Sequence, residues 1–474
     1  MHTGRDQTHP LSAATAAPRT YDPDSADQLT ASSRPDIAPA DPGAREPLAR
    51  ALSLQAVIYG LPSAYQYASM CAQCAPTGDD NLWTLNEFRH SRQLAGPSYQ
   101  AFRVPNVDTL YSNAWLDLTQ GPALLDLPDF GPRYYTLNFL DAYSNASNIS
   151  ARTHPGRHRF LIATTDWTGP VPPGLTLFRV ATPLMWILMR IQAFGADDLT
   201  NVHKLQNAAR IQHDGDRHRT WPVLSQTHVE TSPKAFLSAL DTSLRINGVP
   251  ARDAAHVRQF RFLGLCADDR TPGNLGGTSD HGVRAGFHDA MQLLAQSRPL
   301  LGEPIGTGWT QVLDKGAHGD NFLARAVMNF VGLAANVVEE NCSYNTYADA
   351  NGDPLTGAGD RSYRIDVTDP PPAEAFWSIT LYEADTGRLY DAPKARYSVG
   401  SGTGPERPTP PDGPAAITIS TEPPTDAGTW LPCPPRPFFL VLRMYQPTAA
   451  ATTGGWRPPP VLRTTAATAG DEHR

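Results

Sequence analysis

Between Phe102 and Leu118 the chain reads FRVPNVDTLYSNAWLDL, and six of the eight residues from Asn106 to Asn113 are polar. Such a cluster can do chemistry: Asp108 as acid or base, Tyr111 as hydroxyl donor, both facing a cleft. It can equally fold a corner, with Pro105 fixing a turn and Asn106 and Asp108 capping backbone N–H groups. Thr109, Tyr111 and Asn113 then share one face of a following strand, with Leu110 and Ser112 on the other. A corner needs a cap, but it does not need this density of polar groups.

Other residues could complete a site. Arg152 follows the polar strand YSNASNIS. Its guanidinium can hold a carboxylate bidentately, either a ligand's or a structural one such as Asp141 or Asp108. In SITLYEA and LVLRMYQP, Tyr382 and Tyr445 lie near strand ends, and Arg443 shares a face with Tyr445 at i, i+2. Lining a cavity, that face would grip an anionic or hydroxylated ligand. Otherwise it belongs to sheet packing, together with Trp377, Arg396, Tyr397 and Trp456. The expected set is therefore Asp108 and Tyr111 for catalysis, with Asn106, Asn113, Arg152, Tyr382, Arg443 and Tyr445 for substrate.

No metal site is expected. His154 and His158 are four apart, but on a Pro/Gly loop without a nearby carboxylate. Cys71 and Cys74 form a C-x-x-C that closes a helical stretch and has no further ligand, so the pair is read as reduced and metal-free. Cys266, Cys342 and Cys433 stand alone and read as buried. No G-x-S-x-G, H-E-x-x-H or P-loop occurs, nor a G-x-G-x-x-G in strand–helix context. GSGTGPE at 400–406 is glycine-rich, but no helix with Lys or Ser follows it. An enzyme here is expected to be cofactor-independent.

The chain has 474 residues, with 39 basic against 47 acidic side chains, a net charge of −8. That balance gives no basic field for nucleic acid or anionic lipid. No apolar run approaches the roughly 20 residues of a membrane span. The N-terminus lacks a basic start followed by an apolar core, so a cytoplasmic location is expected. The expected partner is a small polar metabolite, with further copies of the chain in a homo-oligomer.

The elements follow from composition and period. Residues 1–45 have hardly any large apolar side chains and should be a disordered tail, as should 463–474. A helix is predicted over 44–73, bent or interrupted at Gly60 and Pro62. Short β-like runs between Pro/Gly turns fill 102–182, and PLMWILMRIQAF reads as a buried helix or strand. Residues 221–335 read as mainly helical. Strands return over 336–462 in RSYRIDV, AFWSITLYEA, AAITIST and FFLVLRMYQP. No fixed-period repeat is visible.

Long motifs also carry a family resemblance. VPNVDTLYSNAWLDL, PRYYTLNFLDAYSN and ATPLMWILMRIQAFGADDL resemble the bacterial domain-of-unknown-function family 1254. NVVEENCSYNTYADANGDPLTGAGDRSYRIDV, AFWSITLYEADTGRL, ARYSVGS, TWLPCPPRPFFLVLRMYQP and GGWRPPPV resemble its habitual partner, family 1214. The combined match runs over about residues 46–462. The resemblance implies an α+β, mainly β protein: two β-sandwich or jelly-roll-like domains (46–220 and 336–462) joined by a helical section (221–335). Many relatives look secreted or envelope-bound, and the polar N-terminus departs from them. Another departure is Ala151 before the Arg152–Thr153 pair, where relatives tend to carry glycine. The function expected is a lyase, hydrolase or isomerase acting on a small polar metabolite between the β-domains. The rival is a non-catalytic protein that binds glycans or assembles at the envelope.

Overall fold

A computed structural model describes residues 38–75, 83–99, 103–215, 221–297, 302–313, 315–401, 413–424 and 429–464. Of the two expected tails, residues 1–37 and 465–474 lie outside the described residues, while Arg463 and Thr464, read as the start of the second, end the last strand (Leu462–Thr464). Helix α1 (Pro42–Cys74) starts inside the stretch read as tail. Asp41 accepts from the Gly43 N–H and Pro42 occupies the first turn, a start signal that composition alone overlooks.

The helix also runs uninterrupted through Gly60 and Pro62, where a bend or an interruption is expected from the sequence. Ten consecutive residues, Tyr59 to Ala68, are buried. A Cβ on Gly60 would come within 2.3 Å of Leu240, so this glycine serves close packing rather than a break. Ser63 Oγ donates to the Ala142 carbonyl at 2.7 Å, and Gln66 Nε2 to the Asp141 carbonyl at 2.9 Å. Tertiary contacts on every side outweigh the roughly 3 kcal/mol cost of an interior proline.

Nineteen strands form four sheets among the described residues. The first sheet orders β1 (Arg89–His90), β2 (Thr109–Asp117), β8 (Leu184–Gln192), β4 (Tyr135–Leu140) and β5 (Ala146–Ser150). It packs on β7 (Thr176–Val180), β6 (Arg159–Thr164), β3 (Ala123–Asp126) and β9 (Arg210–Gln212). The third sheet orders β10 (Glu303–Pro304), β11 (Thr310–Gln311), β12 (Asn341–Thr346), β18 (Phe438–Pro447), β14 (Ala373–Glu383) and β15 (Ser398–Gly400). It packs on β17 (Thr429–Pro432), β16 (Ala416–Ser420), β13 (Ser362–Asp366) and β19 (Leu462–Thr464). The protein is thus α+β with two mainly β domains. Strands β10 and β11 lie within the stretch read as helical, yet they extend the C-terminal sheet.

The second sandwich repeats the strand order of the first. β2-β8-β4-β5 corresponds to β12-β18-β14-β15, and β7-β6-β3-β9 to β17-β16-β13-β19. Each smaller sheet holds one parallel pair, β6 with β7 and β16 with β17. Each domain inserts a helix before its last strand, α2 (Leu199–Ala208) in the first and α8 (Ala449–Thr452) in the second. The repeat is one of topology, with alternate positions apolar, so no fixed sequence period accompanies it.

In β2 and β8, Leu110, Ala114, Leu116, Ile187, Met189 and Ile191 face the first sandwich core. The opposite face carries Tyr111, Trp115, Trp186 and Leu188, which pack into a helical layer. That layer joins α1 to α3 (Gln226–Thr231), α4 (Pro233–Asn247), α5 (Ala254–Arg258), α6 (Gly277–Ser297) and α7 (Phe322–Val331). The closest approach is α1 against α6. A Cβ on Gly282 would sit 2.2 Å from the Glu46 carbonyl oxygen, and one on Gly286 2.1 Å from that of Arg50. Gly286→Val should force the helices apart and cost about 1–3 kcal/mol by overpacking. Thermal melting should show a lowered Tm, and an unchanged Tm would contradict this contact.

Candidate active site between the two sandwiches

The outer faces of the two larger sheets meet, and the contacts across the seam are reciprocal. In the first sheet Arg190 lies opposite Tyr111 and Thr136; in the third, Arg443 lies opposite Ser343 and Ser378. The two arginines thus occupy corresponding positions. Arg190 Nη2 donates to the Ala334 carbonyl at 3.0 Å, and Arg443 Nη2 to the Val104 carbonyl at 2.8 Å. Each guanidinium reaches the segment that leads into the other domain's first long strand. Both acceptor residues are left-handed, Val104 at φ 54° and Ala334 at φ 65°. Non-glycine residues rarely adopt that conformation.

Two carboxylates follow the same rule. Asp108 stands three residues before Tyr111, and Glu340 three before Ser343. Asp108 is fully buried and accepts from Ser378 Oγ at 2.6 Å and Ser398 Oγ at 3.4 Å. Glu340 is fully buried too and accepts from Ser150 Oγ at 3.1 Å and Arg152 Nη2 at 3.3 Å. Burial pushes the Glu340 carboxyl up, while Arg152 and Ser150 pull it back.

A cavity of about 160 Å³ lies in this seam. Its wall carries Arg103, Arg190, Lys315 and Arg443, and no carboxylate among the described residues. Asn106, Tyr111, Asn341, Ser343 and Tyr445 add neutral polar groups, and Met328, Val331, Val441 and Phe439 add apolar ones. Three buried donors on this wall have no hydrogen-bond partner: Arg190 Nη1, Asn336 Nδ2 and Tyr445 Oη. Burial first, and then the Asp108 charge, hold the Tyr445 phenol protonated, so it remains a donor. Lys315 is 6% exposed, and its Nζ donates to Asn341 Oδ1 at 2.8 Å and Ser343 Oγ at 2.7 Å. Burial, with Arg443 and Arg190 close by, pulls its ammonium down to about 7.

The geometry divides the residues singled out in the sequence. Asn106, Tyr111, Arg443 and Tyr445 line the cavity. Asn106 also builds the corner: its Oδ1 accepts from the Asp108 and Thr109 N–H groups and from Thr109 Oγ1, at 2.9–3.1 Å. Tyr111 Oη accepts from the Asn106 N–H at 2.9 Å. Asp108 lies behind the wall on serines of the other domain, which corrects its placement as an acid/base facing the cleft with Tyr111 and Arg152. Arg152 pairs with Glu340 rather than Asp141 or Asp108, and it stands outside the cavity. Asp141 caps its own turn through the N–H groups of Tyr143 and Asn145. Asn113 accepts from Trp186 Nε1 at 3.1 Å on the first sheet, away from the cavity. Tyr382 donates to the Pro105 carbonyl and accepts from Arg443 Nη1, so it holds Arg443 rather than ligand.

Arg190 and Lys315 were missed. A signal for Arg190 existed: one charge inside the apolar run LMWILMRIQ. Lys315 sits in LDKGAH, which has no pattern of its own. Cys71 and Cys74 end α1, and burial pushes their thiols up to about 11 and about 12, so both stay protonated at neutral pH. No group of three potential metal ligands occurs among the described residues.

The model of DUF1254, a family of unknown function, matches residues 85–213, and that of DUF1214, also of unknown function, matches 340–449. Together the two cover half of the chain. The protein belongs to the DUF1254/DUF1214 family. In this DUF1254/DUF1214 chain the matched segments hold most strands of the two sandwiches, and the cavity lies where the sandwiches meet. The fold resembles the VPA0106 protein from Vibrio parahaemolyticus, with a TM-score of 0.64 and 22% identity over 88% of this chain and all of that one. An uncharacterized protein from Burkholderia cenocepacia is more distant, with a TM-score of 0.40 and 12% identity over 90% of each chain. No protein of curated function matches the sequence. No helix among the described residues is long and apolar enough to cross a membrane.

The corner yields a test. Asn106→Ala strips an acceptor from two backbone N–H groups and one hydroxyl, and should cost about 2–3 kcal/mol. Asp108→Ala should destabilise comparably, because it leaves Ser378 and Ser398 hydroxyls without their acceptor in a buried interface. Thermal melting checks both. A fully stable Asp108→Ala would contradict the structural role of its contacts with Ser378 and Ser398.

Proposed function

We propose that this protein is a cofactor-independent enzyme, a lyase, hydrolase or isomerase, that binds a small organic anion in the cavity between its two β-domains. The observation that carries the proposal is the set of unpartnered buried donors on one cavity wall: Arg190 Nη1, Asn336 Nδ2 and Tyr445 Oη. Leaving a buried donor unpaired costs about 1–3 kcal/mol, so three around one space favour an incoming acceptor. With three guanidinium groups and no described carboxylate around them, the acceptor that fits is a carboxylate or phosphate oxygen. The apolar residues of the same wall suit a short carbon skeleton.

The sandwiches hold the anchors still. Arg190 is fixed by the Ala334 carbonyl, and Arg443 by Tyr382 and the Val104 carbonyl, so little ordering cost remains when the anion arrives. A neutral glycan would leave the guanidinium charges uncompensated, which makes the glycan-binding rival the poorer fit. The enzyme would act in the cytoplasm on a diffusible metabolite.

Calorimetric titration tests the anion site. Malonate and inorganic phosphate should be the informative probes, with neutral malonamide as control. At least one anion should bind and malonamide should not. Arg190→Gln, once shown to be folded by circular dichroism, should weaken that binding about tenfold or more, since a charge-assisted bond contributes roughly 1.5–3 kcal/mol. Equal binding of malonamide, or no binding of either anion, would overturn the reading.

A further inference from the structure

Lys315 is the cavity group to which the anion reading gives no task. Only four of the 39 basic residues are lysines: Lys204, Lys234, Lys315 and Lys394. The other three are exposed, and Lys315 alone among them is buried. An arginine at this position could bind an anion but could never be neutral, whereas a lysine can.

The hydrogen bonds around Nζ can be made in full by the neutral amine. Ser343 Oγ donates to Asn341 Oδ1 at 3.2 Å, which leaves Ser343 an acceptor toward Lys315. Nζ therefore has two acceptors, Asn341 Oδ1 and Ser343 Oγ, both on β12 at the cavity wall. A neutral amine has two N–H bonds and one lone pair. In that neutral form both N–H bonds reach these acceptors, which leaves the lone pair the remaining tetrahedral position. Burial first, and then the cationic neighbours Arg443 and Arg190, keep a large share of the amine unprotonated near neutral pH. The same cations draw an anionic reactant to this amine and hold it there.

We propose that Lys315 is a nucleophile that forms an imine with a small oxo acid, whose carboxylate rests on Arg190 while its carbonyl carbon meets Nζ. The proposal rests on the anion-binding reading of this cavity. In the step, the Nζ lone pair adds to the carbonyl carbon and the C=O π electrons move to oxygen. The oxygen then leaves as water with both amine hydrogens, and the C=N bond forms. No oxidant or reductant is consumed. When protonated, the iminium N–H donates to Asn341 Oδ1 in place of an amine hydrogen. The iminium draws electrons from the adjacent carbon, so a neighbouring C–H or C–C bond can break and leave its electron pair in the C=N system.

The test is reductive trapping on the full chain. Protein is incubated at pH 7.5 with pyruvate or glyoxylate and sodium cyanoborohydride, then mapped by peptide mass spectrometry. Acetone replaces the oxo acid as a carbonyl without an anchor. Lys204, Lys234 and Lys394 serve as internal controls in every sample. Lys315 should be alkylated at least tenfold faster than those three by an oxo acid, and without that preference by acetone. Malonate should slow the reaction, and Arg190→Gln should lower the Lys315 rate without changing the exposed lysines. Lys315→Met should leave no cavity adduct. Labelling of Lys315 no faster than the exposed lysines, in protein that still binds malonate or phosphate, overturns the imine and leaves the anion site standing. Failure to bind any anion as well overturns both.

Discussion

Two guanidinium–carbonyl bonds hold the halves of this protein together around a space. Arg190 in the first sandwich caps the carbonyl of Ala334, and Arg443 in the second caps that of Val104. Each acceptor belongs to a left-handed residue ahead of the other half's first long strand. A left-handed residue costs about 1–2 kcal/mol, and for β-branched Val104 the strain is sharper. A charge-assisted bond to a buried carbonyl offsets that cost. Breaking either bond would free a strained loop and loosen a cation that no described carboxylate on the cavity wall can neutralise. The cavity therefore exists because the two domains hold each other's entry loops in place.

The repeated topology explains the pairing and also its limits. Corresponding strands bring Arg190 and Arg443, and likewise Asp108 and Glu340, to matching places in the two halves. The neighbours then diverge. Opposite Arg190 stands Tyr111, a phenol already engaged by the Asn106 N–H. Opposite Arg443 stands Ser343, a small hydroxyl that leaves room for Lys315. One half thus supplies a rigid anchor and the other a titratable amine. Two like halves give stable, symmetric walls, and substitutions at a few positions give the space between them a chemical direction.

Much of the fold was legible in the chain. The β-like runs of β2, β14 and β18 marked strands, β8 read as either a buried helix or a strand, and the arginine and tyrosine two apart in LVLRMYQP marked a shared face that does line the cavity. The polar corner was legible as a place of interest, and Asn106 and Tyr111 do stand at the cavity wall. What its polar density meant was not legible. Asp108 meets Ser378 and Ser398, which lie 270 and 290 residues further along the chain. Arg152 meets Glu340 across 188 residues. Excess polarity at 106–113 signalled a buried seam, and a single-strand reading cannot separate a seam from a cleft. Lys315 lay in a loop with no period, so only its burial in three dimensions reveals it.

The central claim is that an anion binds between two fixed arginines, beside a Lys315 that is largely neutral in the free protein above pH 7. Its most direct measurement is the proton uptake that accompanies anion binding, read by calorimetry of malonate in two buffers of different ionisation enthalpy. An anion near Nζ favours its charged form, so the lysine's low value, about 7 in the free protein, must rise on binding. At pH 8, where the free amine is mostly neutral, binding should take up a substantial fraction of a proton. At pH 6, where it is already charged, uptake should fall toward zero, and Lys315→Met should abolish the uptake at pH 8. Malonate binding with no proton uptake at pH 8, or with uptake that survives Lys315→Met, would contradict the account.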